Sequence, residues 1–259
     1  MQRGLSVLLF SRAGFSFSPI IISSLQAANF GLGCSNPRIR THRKAKAVTL
    51  LLANLFLSIL TAHAQNGWGP PRGSSDWNTP SNWVPAAPPG GPTGTALFGN
   101  AATRSLTFSG EPNGVGTLRF LVPGYSFQMP SFTLTITGSG IEATPANAPT
   151  FDLPGGRLVL SNSSTAGNAT INAGIAGSTN PLDGGFVLFH QNSSAGNAAI
   201  TANFGSNIEF NDSSTADNAT IITNNGGKTS FFSRSTGGNA EFITNSSGGR
   251  RKLGAAAIR

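Results

Sequence analysis

Between residues 158 and 244 apolar and polar positions recur in one order four times. The phrases cover 160–171 (LSNSSTAGNATI), 189–200 (FHQNSSAGNAAI), 210–221 (FNDSSTADNATI) and 231–242 (FFSRSTGGNAEF). They align on Asn168, Asn197, Asn218 and Asn239, spaced by 29, 21 and 21 residues. Eight positions before each asparagine stands Leu160, Phe189, Phe210 or Phe231, and four before it a serine, Ser164, Ser193, Ser214 or Ser235. Alanine follows it, and Ile171, Ile200, Ile221 or Phe242 stands three after it. Repetition at this period marks a stack of similar coils. In-out alternation predicts an apolar line on two short strands, joined at a corner where Gly, Ala, Asn or Ser fits.

The expected fold is therefore all-β, a parallel β-solenoid with coils of about 21 residues. Coils stack about 4.8 Å apart, so Asn168, Asn197, Asn218 and Asn239 are expected to form a hydrogen-bonded ladder. The longer first spacing predicts an eight-residue insertion near 177–184, bulging from one coil as a loop.

Upstream, segments 95–98, 105–108, 117–121 and 132–137 alternate apolar and polar residues between Gly, Pro and Asn turns, and read as strands. The solenoid is expected over 95–249, about seven coils and a rod of about 35 Å. Residues 65–94 are rich in Trp, Pro and Gly and form a cap or linker. Trp77 and Trp83 have two readings. Their rings cover the open end of the first coil, as a terminal repeat requires, or they form a flat platform for a glycan.

Residues 1–64 read as a presequence. Basic residues from Arg38 to Lys46 precede the apolar run 47–62, a helical signal segment, and Ala62-His63-Ala64 supplies an A-x-A cleavage site. Sixteen apolar-rich residues are short for a span of about 20, so cleavage after Ala64 is expected, leaving Gln65 as the first residue. The 37 residues in front, with the single cysteine Cys34, read either as a long n-region or, the preferred reading, as a start placed too early. Beyond Ala64 there is no cysteine, which excludes disulfides and thiolate metal sites there.

Net charge is +8, a balance that by itself points to nucleic acid. Its distribution removes that reading. Seven basic residues and no acid lie in 1–64, and four basic residues lie in the tail 250–259. Residues 65–249 hold six basic and nine acidic residues, a net of −3. No nucleic-acid partner is expected.

Catalytic, cofactor-binding and metal-ligating residues are not expected. Acids are scattered along the coils; Asp212 and Asp217 share one repeat, but Asp217 occupies the glycine position of a turn. Of the histidines, His42, His63 and His190, only His190 falls within the coils, too few for a triad or a metal cluster. A polysaccharide-active β-helix enzyme is the less favoured alternative.

The order DWNTPSNW, ALFGN, LTITGSGI and repeated SSTAGNATI phrases resembles the passenger region of bacterial autotransporter-type proteins, over most of residues 76–248. The resemblance implies a secreted β-helical rod carried outside by a C-terminal outer-membrane β-barrel, with a cell-surface, commonly adhesive, role. It carries over no catalytic residue. This chain departs from the family at RRKLGAAAIR, where further coils and a barrel would follow, so a truncated passenger is expected, with the barrel lost or separate. An open last coil around Asn239 is then expected to self-associate.

Overall fold

The computed structural model describes residues 65–70, 74–246 and 249–254. The presequence 1–64, with its helical signal segment and cleavage site, lies outside the described residues.

Four-residue strands dominate, because two inward and two outward side chains complete one side of a coil. In Arg157–Leu160, Leu158 and Leu160 are buried while Arg157 is exposed, and Phe186–Phe189 and Asn207–Phe210 repeat the inward pair. These strands belong to a first sheet whose parallel members run Gln65–Trp68, Gly91–Phe98, Val115–Phe120, Thr133–Glu142, Arg157–Leu160, Phe186–Phe189, Asn207–Phe210 and Lys228–Phe231. A second sheet stacks Ser105–Leu106, Ser126–Gln128, Thr150–Leu153, Thr170–Ala173, Ala199–Ala202, Thr220–Thr223 and Glu241–Ser246, again parallel. The third side of the coil is a single residue deep, with Thr165, Ser194, Thr215 and Thr236 bridged in line. The chain is thus an all-β parallel solenoid of about seven turns, with coils of about 22 residues.

Register follows the sequence columns. Leu160 pairs with Phe189, Phe189 with Phe210, and Phe210 with Phe231. On the second sheet Ile171, Ile200, Ile221 and Phe242 are successive partners. The rings of Phe189 and Phe210 stack at 4.6 Å and 3°, and those of Phe210 and Phe231 at 4.8 Å and 5°, so ring spacing equals strand spacing. Along the narrow third side the core is alanine, with Ala166, Ala195 and Ala216 fully buried.

Two corners repeat. After the first-sheet strand, Asn162, Gln191, Asp212 and Ser233 adopt positive φ of 58–59°. Before the second-sheet strand, Gly167, Gly196, Asp217 and Gly238 adopt positive φ of 52–60°. The hydroxyls of Thr165, Ser194 and Thr215 accept from the backbone N–H two residues on, which fixes this second corner.

Both ends carry an antiparallel strand. At the start Trp83–Val84 pairs antiparallel with Gln65–Trp68. At the other end Gly249–Gly254, which takes in the first five residues of the stretch expected as a basic tail, pairs antiparallel with Glu241–Ser246 through six residue pairs. Gly91–Phe98 starts earlier than the expected 95–98, Thr133–Glu142 runs on past the expected end at 137, and Ser105–Leu106 is shorter than the expected 105–108. Thr133–Glu142 serves two coils, pairing with Arg157–Leu160 through its first half and with Thr117–Arg119 through its last residues.

Candidate functional site

Trp77 and Trp83 lie inside the cap, 0% and 1% exposed. Trp83 packs edge-on against Trp68 at 5.1 Å and Trp77 at 4.8 Å, and its Nε1 donates to the Trp77 carbonyl. Phe98 and Phe108 cover Trp77 further. With their faces covered, these rings offer nothing for a sugar to stack on, which corrects the glycan-platform reading.

Asn168, Asn197, Asn218 and Asn239 stand in one column, because each backbone N–H after the first donates to the residue just before the preceding asparagine. Their side chains connect only in pairs. Asn239 Nδ2 donates to Asn218 Oδ1 at 3.2 Å, and Asn197 Nδ2 reaches Asn168 Oδ1 at a long 3.5 Å. Between the pairs, Asn218 Nδ2 donates to Asp217 Oδ1 instead. A carboxylate in place of the corner glycine captures the amide that would have continued the line.

A tighter ladder runs along the opposite corner. Asn245 Nδ2 donates to Asn224 Oδ1 and Asn224 Nδ2 to Asn203 Oδ1, both at 2.8 Å, and Asn203 Nδ2 ends on the Gly174 carbonyl. The signal was present as Asn at 203, 224 and 245, again 21 apart. It falls outside the repeated phrase.

This ladder forms one wall of a groove on the outer face of the second sheet. The floor is the outward column Gln128, Asp152, Asn172 and Thr201, one residue from each of four successive coils. The other wall is the loop inserted between Ala173 and Phe186, which brings Ile175 and Ala176 over the floor. The loop is braced internally: Ser178 Oγ and Asn180 Nδ2 donate to the Asp183 carboxylate, and Asn180 Oδ1 accepts from the Leu182 N–H. Asp152 takes Gln128 Nε2 at 2.6 Å on one oxygen and Asn172 Nδ2 at 2.8 Å on the other. The groove's lining has no cationic side chain and one carboxylate. A lone carboxylate that accepts from an amide on each oxygen is suited to fixing their orientation, and paired acid-base chemistry needs a second such group. No group of three metal-ligating side chains occurs among the described residues.

At the cap, Asp76 organises a different cluster. Burial pushes its carboxyl up, but hydrogen bonds from Thr79 Oγ1, Ser109 Oγ and the Asn78 and Ser109 N–H groups outweigh it and hold the group below its ordinary range. The arrangement ties the cap to the loop after the Ser105–Leu106 strand.

Compared with protein-family models, curated proteins and solved structures, the chain matches none.

Proposed function

We propose that this chain is a secreted or cell-surface structural and adhesion protein of the autotransporter passenger type. One observation supports this reading: the acids of the corners and several of their asparagines bond to neighbouring coils. Asp212 and Asp217, the two acids of one repeat, sit at the two different corners of their coil. Asp212 accepts from the Gln191 N–H and Asp217 from Ser194 Oγ, each in the preceding coil. Polar groups used this way hold a stack together, and the outward faces of the strands are left to meet other surfaces.

The test is display of the full chain in a Gram-negative host. Antibody labelling of intact cells, with mass spectrometry placing the mature N-terminus at Gln65, is the expected result. An intact Met1 and labelling only after lysis would overturn the reading.

A further inference from the structure

We propose that the groove beneath the inserted loop binds neutral oligosaccharide. Asp152 sets the orientation of the two amides beside it. A carboxylate only accepts, so Gln128 and Asn172 must each turn their NH₂ group toward it, and their carbonyl oxygens are left to other partners. Neither Gln128 Oε1 nor Asn172 Oδ1 has a hydrogen-bond partner among the described residues, and the same holds for the Thr201 hydroxyl. Amide orientation, normally ambiguous, is set here by chemistry.

The result is two free amide oxygens set two sheet repeats apart, about 10 Å, flanking the Asp152 carboxylate, with the Thr201 hydroxyl one coil further on, so that the floor extends roughly 14 Å over four coils. Hydroxyl-rich ligands carry many donors and suit such a floor. The lone negative charge, with no cation in the lining, disfavours uronate, sulfate and sialyl groups. Pro154, Ile175 and Ala176 supply apolar contact for the C–H faces of a sugar ring. The cavity volume, about 520 Å³, falls in the range of small-ligand sites. Because the loop wall is braced by its own hydrogen bonds, little ordering cost falls on binding. The lining has no aromatic ring, so affinity per site is modest and contact along several sugar units carries recognition.

The assignment deepens the adhesion reading and rests on it only for the ligand being extracellular; binding by purified protein is independent of where the chain resides. The experiment presents the purified full chain to an array of neutral and acidic oligosaccharides, followed by calorimetry on the best neutral one. Two groove variants are compared, Thr201→Glu and Ile175→Asp, with Thr135→Glu on the outer face of the first sheet as the placement control. Circular dichroism establishes that each is folded. The expected result is retention of neutral glycans, at least tenfold weaker binding in both groove variants and unchanged binding in the control. Preference for acidic glycans, absence of binding at millimolar sugar, or binding that survives both groove substitutions would each overturn the proposal. Glycan binding by a chain that is not exported would leave this site standing and remove the adhesion role alone.

Discussion

Asn224 Nδ2 donates to Asn203 Oδ1 at 2.8 Å, with Asn203 only 4% exposed. The asparagines of the repeated phrase form looser pairs, and Asn197, Asn218 and Asn239 are exposed. Burial decides which line holds the coils together. A buried amide that loses its partner costs about 1–3 kcal/mol, whereas an exposed one exchanges it for water. Asn203→Ala should therefore lower stability by about that amount, and Asn218→Ala should change it by less than about 0.5 kcal/mol. Urea denaturation compares the two; equal losses would contradict the assignment.

The left-handed corners make a second contrast. Ser233 holds φ 58° without a side-chain hydrogen bond and is exposed. A non-glycine residue there costs about 1–2 kcal/mol, partly offset by the extra entropy glycine loses on folding. Ser233→Gly should stabilise by about 0.5–1 kcal/mol. Gly167→Ala should destabilise by 2 kcal/mol or more, adding a clash between the new Cβ and the Ile141 carbonyl to the left-handed strain. Thermal melting measures both, and the signs must be opposite.

Phe210 stacks on Phe189 below it and Phe231 above it and is fully buried. Phe210→Ala should cost about 3–5 kcal/mol. Phe232, 49% exposed one residue beyond the column, should be nearly silent to the same change. A loss at Phe232 matching that at Phe210 in chemical denaturation would show that the stack is not the source of stability.

Asp76 gives the cap a pH dependence. Its carboxyl in the folded chain lies below the ordinary 3.8, so ionisation favours the folded cap. That contribution is complete above 3.8 and is lost as pH falls through the lower, folded value. Trp68, Trp77 and Trp83 are the chain's only tryptophans and all lie in this cap, so tryptophan emission reports on it selectively. In mild urea the emission should shift to the red as the pH falls below about 4. Asp76→Ala should show the shifted spectrum already at neutral pH, with a flat acid profile. An unchanged profile in the variant would remove Asp76 from the account.

The coil architecture was legible because identical columns can lie in register only if the coils stack in parallel, and Leu160, Phe189, Phe210 and Phe231 carry that constraint in their spacing. The insertion was equally visible, since 29 residues must close the same circuit as 21. What the columns hid was how side chains choose among equivalent neighbours. Asp217 looks like a mere exception in the glycine column, but it diverts Asn218 and splits the expected ladder. Trp77 and Trp83 read as either platform or cap, because spacing alone does not say which face of a ring is covered. The groove escaped notice since its floor comes from four coils whose residues, Gln128, Asp152, Asn172 and Thr201, are of different types. Only strand pairing aligns them.

The inserted loop leaves the strands on both sides of it undisturbed. Phe186–Phe189 pairs residue for residue with Arg157–Leu160 across the longer connection, as Asn207–Phe210 pairs with Phe186–Phe189 across the shorter one. Length at this corner is therefore decoupled from the ladder, and the corner acts as a port. Peptides of different length or composition spliced between Gly174 and Gly185 would be presented at the same height against the same floor. Variation there can change what the surface meets while the coils keep one register.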